Sequence, residues 1–164
     1  MLLGIDLGGT KIEGIVLESK EKPIEVIRHR VDTEEKKGYL QVVDNIKSLV
    51  EYIENKINHK FDKLGIGTPG TLDPATGLLK NSNSQCLNGM PLKKDLSKTL
   101  DKSILIQNDA NCFALAETLL GSVNDQYPHA KNVFGIIIGT GVGGGVIING
   151  KTVYGSQGIG GEWG

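Results

Sequence analysis

Two glycine-rich segments have the residue types that bind phosphate through backbone N–H groups. Residues 6–11 read Asp-Leu-Gly-Gly-Thr-Lys, and residues 139–145 read Gly-Thr-Gly-Val-Gly-Gly-Gly. Because glycine has no Cβ, its backbone is able to approach an anion closely. Asp6 precedes the first turn, where a carboxylate would hold a metal-bound water beside that anion. Two such turns favour a polyphosphate ligand. The first motif alone is as compatible with a plain hairpin turn as with a phosphate-binding turn.

A third segment, residues 108–111, contains the best candidate for a general base. It reads Asn-Asp-Ala-Asn and lies between a predicted strand and a predicted helix. The N-terminus of a helix keeps a carboxylate ionised and fixed in direction. A base that accepts a proton from a sugar hydroxyl needs this placement. Asp109 is therefore the candidate base, and the alternative is that Asp109 only caps the helix.

Two phosphate-binding motifs match the sequence by letter alone. Gly139, Gly141 and Gly144 satisfy G-x-G-x-x-G, and residues 145–152 satisfy G-x-x-x-x-G-K-[ST]. Both motifs require a helix after the glycine loop, but the residues that follow favour extended backbone. We therefore predict neither a dinucleotide-binding loop nor a P-loop.

The elements that must position these residues alternate between strands and helices. The pattern predicts strands at 2–6, 11–18 and 24–31, and the apolar spacing predicts a helix over 38–58. The rest of the chain is predicted to form, in order, a strand at 63–67, a turn at 67–70, an irregular stretch to residue 88, a helix opened by Pro91, a strand at 103–107, a helix at 110–120 and a hairpin of residues 133–138 and 145–148. This order indicates an α/β fold with an antiparallel lead-in.

The composition argues against several classes of partner. The 18 basic and 19 acidic side chains give a formal net charge of −1, which argues against a basic nucleic-acid-binding surface. The uncharged stretch 132–150 is too rich in glycine for a membrane-spanning helix. The two cysteines, Cys86 and Cys112, have no metal-ligand spacing. We expect a cytoplasmic protein with neither a nucleic-acid nor a membrane partner.

Four motifs, at residues 6–11, 108–111, 139–145 and 161–164, resemble in type and order those of the ROK family of bacterial sugar kinases. The resemblance covers the whole chain. It implies the actin-like (ribonuclease H-like) α/β fold of sugar kinases, with ATP and Mg²⁺ bound in the cleft between two domains. On this basis residues 1–122 form the N-terminal domain, and residues 123–164 form the beginning of a second domain.

The resemblance also implies roles for individual residues. Asp109 matches the catalytic base, and no residue is assigned as a direct metal ligand. The residues that match the two ATP-binding loops are Gly4, Asp6, Gly8, Gly9, Thr10, Lys11, Gly139, Thr140, Gly141, Gly143 and Gly144. The residues that match sugar contacts are Gly70, Asn83, Asn108, Asp109 and Glu162.

The resemblance leaves more than one substrate open. Residues 80–84, 87–89 and 161–164 are most similar to the fructokinase subgroup, which makes a fructose kinase the first expectation. Residues 111–115 and the triple glycine at 143–145 are similar to N-acetylglucosamine kinases, the second expectation. The family also contains repressors with a DNA-binding segment ahead of the first loop, but here that loop starts at the N-terminus, which favours a kinase. A non-enzymatic α/β module is the remaining alternative.

Family members continue beyond the position of Gly164. The resemblance implies that a His follows directly, and that a Cys-rich zinc-binding segment comes later, so the family zinc site lies beyond residue 164. We therefore expect residues 1–164 alone to be inactive. The segment after Gly121 is expected to expose apolar surface and strand edges. Another copy of the chain would cover such edges, which predicts a homo-oligomer.

Overall fold

The structure is a computed structural model that describes residues 1–138 and 142–162. Three residues of the second predicted phosphate turn, Gly139, Thr140 and Gly141, lie outside the described residues. The chain divides into two compact units, Met1–Gln107 and Asn108–Gly164. The domain boundary after residue 122 stays a prediction.

The first unit is built on a five-stranded sheet. Its strands and a small separate hairpin are, in chain order, β1 (Leu2–Leu7), β2 (Lys11–Leu17), β3 (Glu25–Asp32), β4 (Lys63–Thr68), β5 (Thr71–Leu72), β6 (Leu79–Lys80) and β7 (Ser103–Asn108). The large sheet has the order β3-β2-β1-β4-β7, and β5 pairs with β6 alone. Strand β1 pairs antiparallel with β2 and parallel with β4, so the predicted antiparallel lead-in is present.

Helix α1 (Tyr39–Ile57) covers one face of this sheet. Its apolar stripe recurs every three or four residues, and Val42, Ile46, Leu49 and Ile53 are all fully buried. Gly14 of β2 allows the close approach, because a Cβ there would lie 2.5 Å from Ile53 Cδ1. A second helix, α2 (Leu92–Leu100), and two short 3₁₀ turns, Glu35–Lys37 and Gln85–Leu87, complete the unit.

A buried carboxylate fixes the C-terminal end of α1. Glu54 is 3% exposed, and its two oxygens lie 2.8 Å from the ammonium groups of Lys102 and Lys60. The backbone N–H of Phe61 also donates to Glu54 at 2.9 Å, and Lys102 donates to the Phe61 carbonyl at 2.7 Å. Burial alone raises the pKa of Glu54, but these hydrogen bonds outweigh it and hold the pKa below its ordinary value.

The second unit packs a helix against a hairpin. It contains α3 (Asp109–Leu119), α4 (Ser122–Gln126), β8 (Asn132–Ile138), β9 (Val142–Ile148) and β10 (Lys151–Thr152). Glycines on the inner face let α3 approach the backbone of the hairpin. A Cβ on Gly135 would lie 2.8 Å from the Ala114 Cβ, and a Cβ on Gly145 would lie 2.7 Å from the Ala110 carbonyl oxygen.

The opposite face of the β8–β9 hairpin exposes apolar side chains, as the sequence predicted for this region. The exposed fractions of Phe134, Ile136 and Ile148 are between 44% and 48%, and that of Ile138 is 79%. Association with another copy of the chain stays a prediction. No helix within the described parts of the chain is long and apolar enough to cross a membrane.

Most predicted elements are confirmed to within a few residues, and the differences have local causes. The irregular stretch to residue 88 contains the β5–β6 hairpin and a 3₁₀ turn, which are too short to produce a periodic pattern. Helix α4 follows Gly121, which was expected only to end α3. Strand β9 begins at Val142 and not at Gly145, because Gly143 and Gly144 pair with Ile137 and Ile136 of β8.

Candidate functional site

The first glycine turn presents backbone donors to the outside. Gly8 N–H donates to the Lys11 carbonyl at 2.9 Å and closes the turn between β1 and β2. The N–H groups of Gly9 and Thr10 have no acceptor within residues 1–138 and 142–162, and both residues are exposed. A Cβ on Gly8 would lie only 2.9 Å from the Lys11 carbonyl oxygen, so the turn requires glycine at this position. Backbone donors presented in this way are typical of anion-binding turns.

The charged residues beside this turn have different surroundings. Asp6 is exposed at the end of β1, in register with Gly67 of β4. The predicted role of Asp6, to hold a water bound to a metal ion beside the phosphates, stays a prediction. Lys11 forms an ion pair with Asp32, and both side chains are exposed.

Gly4 receives no support as a phosphate contact. It lies inside β1, in register with Gly65 and Ile15. A Cβ there would meet the Ile15 side chain at an ordinary 3.7 Å, so the position does not require a missing side chain. Its assignment to the ATP site stays a prediction.

The predicted sugar contacts of the first unit lie close to the glycine turn. Gly70 has a φ of +79° and packs directly against the backbone of residues 80–82, where a Cβ would lie 2.8 Å from the Ser82 nitrogen. Asn83 follows this segment, and the next residue, Ser84, has its Oγ 3.4 Å from the position of a Cβ on Gly9. The structure therefore brings Gly70, Asn83 and the first turn together.

A cavity of about 580 Å³ opens beside Asn83. This volume is within the range of small-molecule sites, roughly 300–1,000 Å³. Its polar lining contains the ion pair of Asp73 and Lys80 and four carboxamides, of which Gln85 and Asn88 bond to Ser82 and the other two are Asn81 and Asn83. Carboxamides both donate and accept hydrogen bonds, as hydroxyl-rich ligands require.

The predicted catalytic segment begins α3. The side-chain oxygen of Asn108 accepts the Asn111 N–H at 3.1 Å, so Asn108 and not Asp109 is the N-cap. Asp109 Oδ1 accepts the Ala110 N–H at 2.7 Å, and the side chain is partly open to solvent. Burial raises the pKa of Asp109 above its ordinary value, although hydrogen bonds from the Ala110 and Asp109 N–H groups oppose the shift. A carboxylate with a raised pKa is a better proton acceptor.

Glu162 lies beside this segment in the second unit. Burial raises the pKa of Glu162, and the negative charge of Asp109 raises it further, while a hydrogen bond from the Asn108 side chain lowers it. Three of the predicted sugar contacts, Asn108, Asp109 and Glu162, therefore form one cluster. A carboxylate with hydrogen-bonding groups beside it is the kind of arrangement that a candidate general base requires.

The triple glycine at residues 143–145 lies within strand β9. Gly143 and Gly144 were assigned to ATP, but both lie in β9. A Cβ on Gly143 would lie 3.5 Å from the Ala110 Cβ and 3.9 Å from Glu162 Oε2. A Cβ on Gly144 would lie 2.6 Å from the Gly161 carbonyl oxygen and 2.9 Å from the Phe134 ring. Gly144 therefore allows close packing against Gly161 and Phe134, whereas a side chain at Gly143 would meet its neighbours at ordinary contact distances. The contact of both glycines with ATP stays a prediction.

The sequence analysis missed Thr33, which follows β3. Its hydroxyl donates to the Gly8 carbonyl at 2.6 Å, and its N–H donates to the Thr10 carbonyl at 2.9 Å. A single threonine after a strand carries no sequence signal, because its contact with the turn depends on the pairing of β2 with β3. In the described parts of the chain, no three His, Cys, Asp or Glu side chains cluster in a way that would hold a metal ion.

Comparison with protein families decides the classification. The ROK family model matches residues 2–164. The chain belongs to the ROK family. This ROK chain is 42% identical to an N-acetyl-D-glucosamine kinase of Mannheimia succiniciproducens and 41% identical to one of Histophilus somni, in each case over 164 residues. These alignments cover all of the chain and 51% of each relative, so the ROK chain spans about half the length of these curated relatives.

Solved ROK structures confirm the predicted actin-like sugar-kinase fold. The ROK hexokinase from Thermus thermophilus superposes with a TM-score of 0.82 at 30% identity, covering 98% of this chain and 51% of that one. A ROK glucokinase from Streptomyces griseus, solved with glucose and AMPPNP, gives a TM-score of 0.80 at 28% identity. That match covers 99% of this chain and 49% of the glucokinase.

Proposed function

We propose that this ROK chain supplies the phosphate-binding turn, the catalytic base and part of the sugar site of an ATP-dependent N-acetylglucosamine kinase. The observation that carries the proposal is the cluster of Asp109, Asn108 and Glu162. It combines a carboxylate of raised pKa with two hydrogen-bonding neighbours at the start of a helix. The unpaired N–H groups of the first turn support ATP as the phosphoryl donor, as does the AMPPNP bound by the Streptomyces griseus relative.

In this proposal, ATP with Mg²⁺ supplies the phosphoryl group. Gly9 and Thr10 bind phosphate oxygens through their N–H groups, and Asp6 faces the cation. Asn108 and Glu162 bind hydroxyls of the sugar and orient it. Asp109 accepts the proton of the reacting hydroxyl through a carboxylate oxygen. Positioning and charge stabilisation account for most of the catalysis in phosphoryl transfer, and these residues supply both.

The amino sugar replaces fructose as the first candidate substrate. The motifs at residues 80–84 and 161–164 suggested fructose, but the two relatives described above, at 42% and 41% identity, are both named N-acetyl-D-glucosamine kinases. The carboxamides of Asn81 and Asn83 at this open cavity are suited to an N-acetyl group, which itself contains an amide. Glucose is the sugar bound by the Streptomyces griseus relative and is the natural comparison substrate.

The test joins residues 1–164 to the remaining half of the Mannheimia succiniciproducens kinase. ADP formation is measured for this chimera and for residues 1–164 alone, with N-acetylglucosamine, glucose, mannose and fructose. We expect no turnover from residues 1–164 alone, and the highest kcat/KM of the chimera with N-acetylglucosamine. If the folded chimera has its highest kcat/KM with fructose, the fructokinase hypothesis is favoured and the proposed substrate is wrong. The unmodified Mannheimia enzyme is the positive control.

A further inference from the structure

Thr33 is a buried residue that hydrogen-bonds to the first glycine turn. It is 0% exposed, and it makes two hydrogen bonds to carbonyls of the turn. The hydroxyl donates to Gly8 O at 2.6 Å, and the N–H donates to Thr10 O at 2.9 Å. The segment itself is held by Asn45 of α1, whose amide donates to the carbonyls of Asp32 at 3.1 Å and Thr33 at 3.2 Å.

These two bonds fix the direction of two peptide planes. In a trans peptide the C=O of one residue and the N–H of the next point in opposite directions. Because Thr33 binds the Gly8 carbonyl, the N–H of Gly9 must point away from Thr33. Because Thr33 binds the Thr10 carbonyl, the N–H of Lys11 must also point away from Thr33. The buried hydroxyl thereby sets the direction of the Gly9 N–H, and the backbone N–H of Thr33 sets that of the Lys11 N–H.

We propose that Thr33 is a positioning residue for anion binding, whose hydroxyl holds the Gly9 N–H group toward the phosphates of the nucleotide. This inference rests on the proposed function, in which the turn binds ATP. Without the hydroxyl, the Gly8 carbonyl would lose its partner, and peptide 8–9 would be free to rotate toward solvent. Because residues 8 and 9 are both glycine, this peptide rotates easily, and the bond from the Thr33 hydroxyl is needed to keep its direction.

The test compares variants of residues 1–164 that differ in a single group. Thr33→Val keeps the shape and removes the hydroxyl, whereas Thr33→Ser keeps the hydroxyl. Thr118→Val is the matched control, because the Thr118 hydroxyl also donates to a backbone carbonyl at 2.6 Å, that of Ala114 in α3. Binding of pyrophosphate and of Mg²⁺-ADP is followed through the backbone amide resonances of Gly9 and Lys11. We expect Thr33→Val to weaken binding about tenfold, since a hydrogen bond to a buried carbonyl is lost, and the other two variants to bind within about twofold of the unmodified chain.

A crystal structure of the folded Thr33→Val variant provides the second readout. We expect peptide 8–9 to change direction in this variant and to keep its direction in Thr33→Ser. If peptide 8–9 keeps its direction in Thr33→Val, the positioning role is wrong, whether or not the unmodified chain binds pyrophosphate. An unchanged affinity for the phosphate ligands in a folded Thr33→Val protein would also contradict it. If the unmodified chain binds no phosphate ligand while peptide 8–9 rotates in Thr33→Val, then Thr33 positions the turn and the proposed ATP site is wrong. If Thr33→Val does not fold, the same two measurements are made on Thr33→Ala.

Discussion

The carboxylates of Asp109 and Glu162 are electrostatically coupled: after burial, the negative charge of Asp109 is the next largest cause that raises the pKa of Glu162. The Asn108 side chain opposes this shift with a hydrogen bond to Glu162. Removing Asp109 and removing Asn108 should therefore shift the pKa of Glu162 in opposite directions. Asp109→Asn removes a negative charge and should lower it, and Asn108→Ala removes a donor and should raise it. Carboxyl carbon NMR titration of residues 1–164 measures both shifts, and equal pKa values in the three proteins would exclude the coupling.

The same substitution tests the general base. Asp109→Asn keeps the shape of the side chain and an oxygen for the Ala110 N–H, but it loses the basicity. In the chimera, kcat should fall by at least about 10²-fold, which is the usual range for a general base. The rate of the unmodified chimera should decline at acid pH as Asp109 is protonated, with a midpoint above the ordinary pKa of an aspartate, 3.8, because the pKa of Asp109 is raised. A kcat within threefold of the unmodified chimera would remove Asp109 from this role.

The first glycine turn should tolerate bulk at position 9 better than at position 8. A Cβ on Gly9 would lie 3.4 Å from Ser84 Oγ, whereas one on Gly8 would lie 2.9 Å from the Lys11 carbonyl. Gly9→Val should therefore fold and still weaken Mg²⁺-ADP binding, because its branched side chain stands beside the N–H groups that face the anion. Gly8→Val should also lose stability. Calorimetric titration and thermal unfolding separate the two effects, and full affinity in a folded Gly9→Val protein would make the turn purely structural.

The buried carboxylate of Glu54 should make the stability of the first unit depend on pH. Its pKa is below the ordinary value when folded, so its contribution is present above the unfolded pKa of about 4.5 and is lost as the pH falls below it. Glu54→Gln should lower the free energy of unfolding at pH 7 and flatten its decline between about pH 5 and pH 3. Urea unfolding at several pH values measures this. The exposed pair of Lys47 and Glu51, 3.9 Å apart, provides Glu51→Gln as a control with little expected effect.

Close packing between α3 and the hairpin predicts a strong effect of a single methyl group. Gly145→Ala would place a Cβ 2.7 Å from the Ala110 carbonyl and 3.0 Å from the Ala114 Cβ. Overpacking of this kind costs about 1–3 kcal/mol of stability. Gly65→Ala in β4 is the matched control, because a Cβ there meets nothing within 4 Å. Denaturant unfolding should separate the two variants, and equal stabilities would show that the hairpin adjusts without cost.

The sequence was sufficient for elements with a long repeating pattern, and insufficient where a residue acts through tertiary contact. Helix α1 was predicted because seven apolar residues recur at helical spacing along it. The close packing of Gly144 against Gly161 and Phe134 was not predicted, because glycine permits both a phosphate contact and close packing, and the sequence alone does not show which contacts a glycine makes. Thr33 was missed for a related reason, since only the pairing of β2 with β3 brings its hydroxyl to Gly8.

The bare backbone beneath α3 also determines how motion is transmitted within the second unit. Where side chains fill a helix–sheet interface, rotamer changes absorb small displacements of either partner. At Gly135 and Gly145 no side chain separates the hairpin from α3, and Ala110 and Ala114 have no rotamers of their own. A ligand that displaces the β8–β9 hairpin at these two glycines would consequently push directly on the first turns of α3, which begins at Asp109.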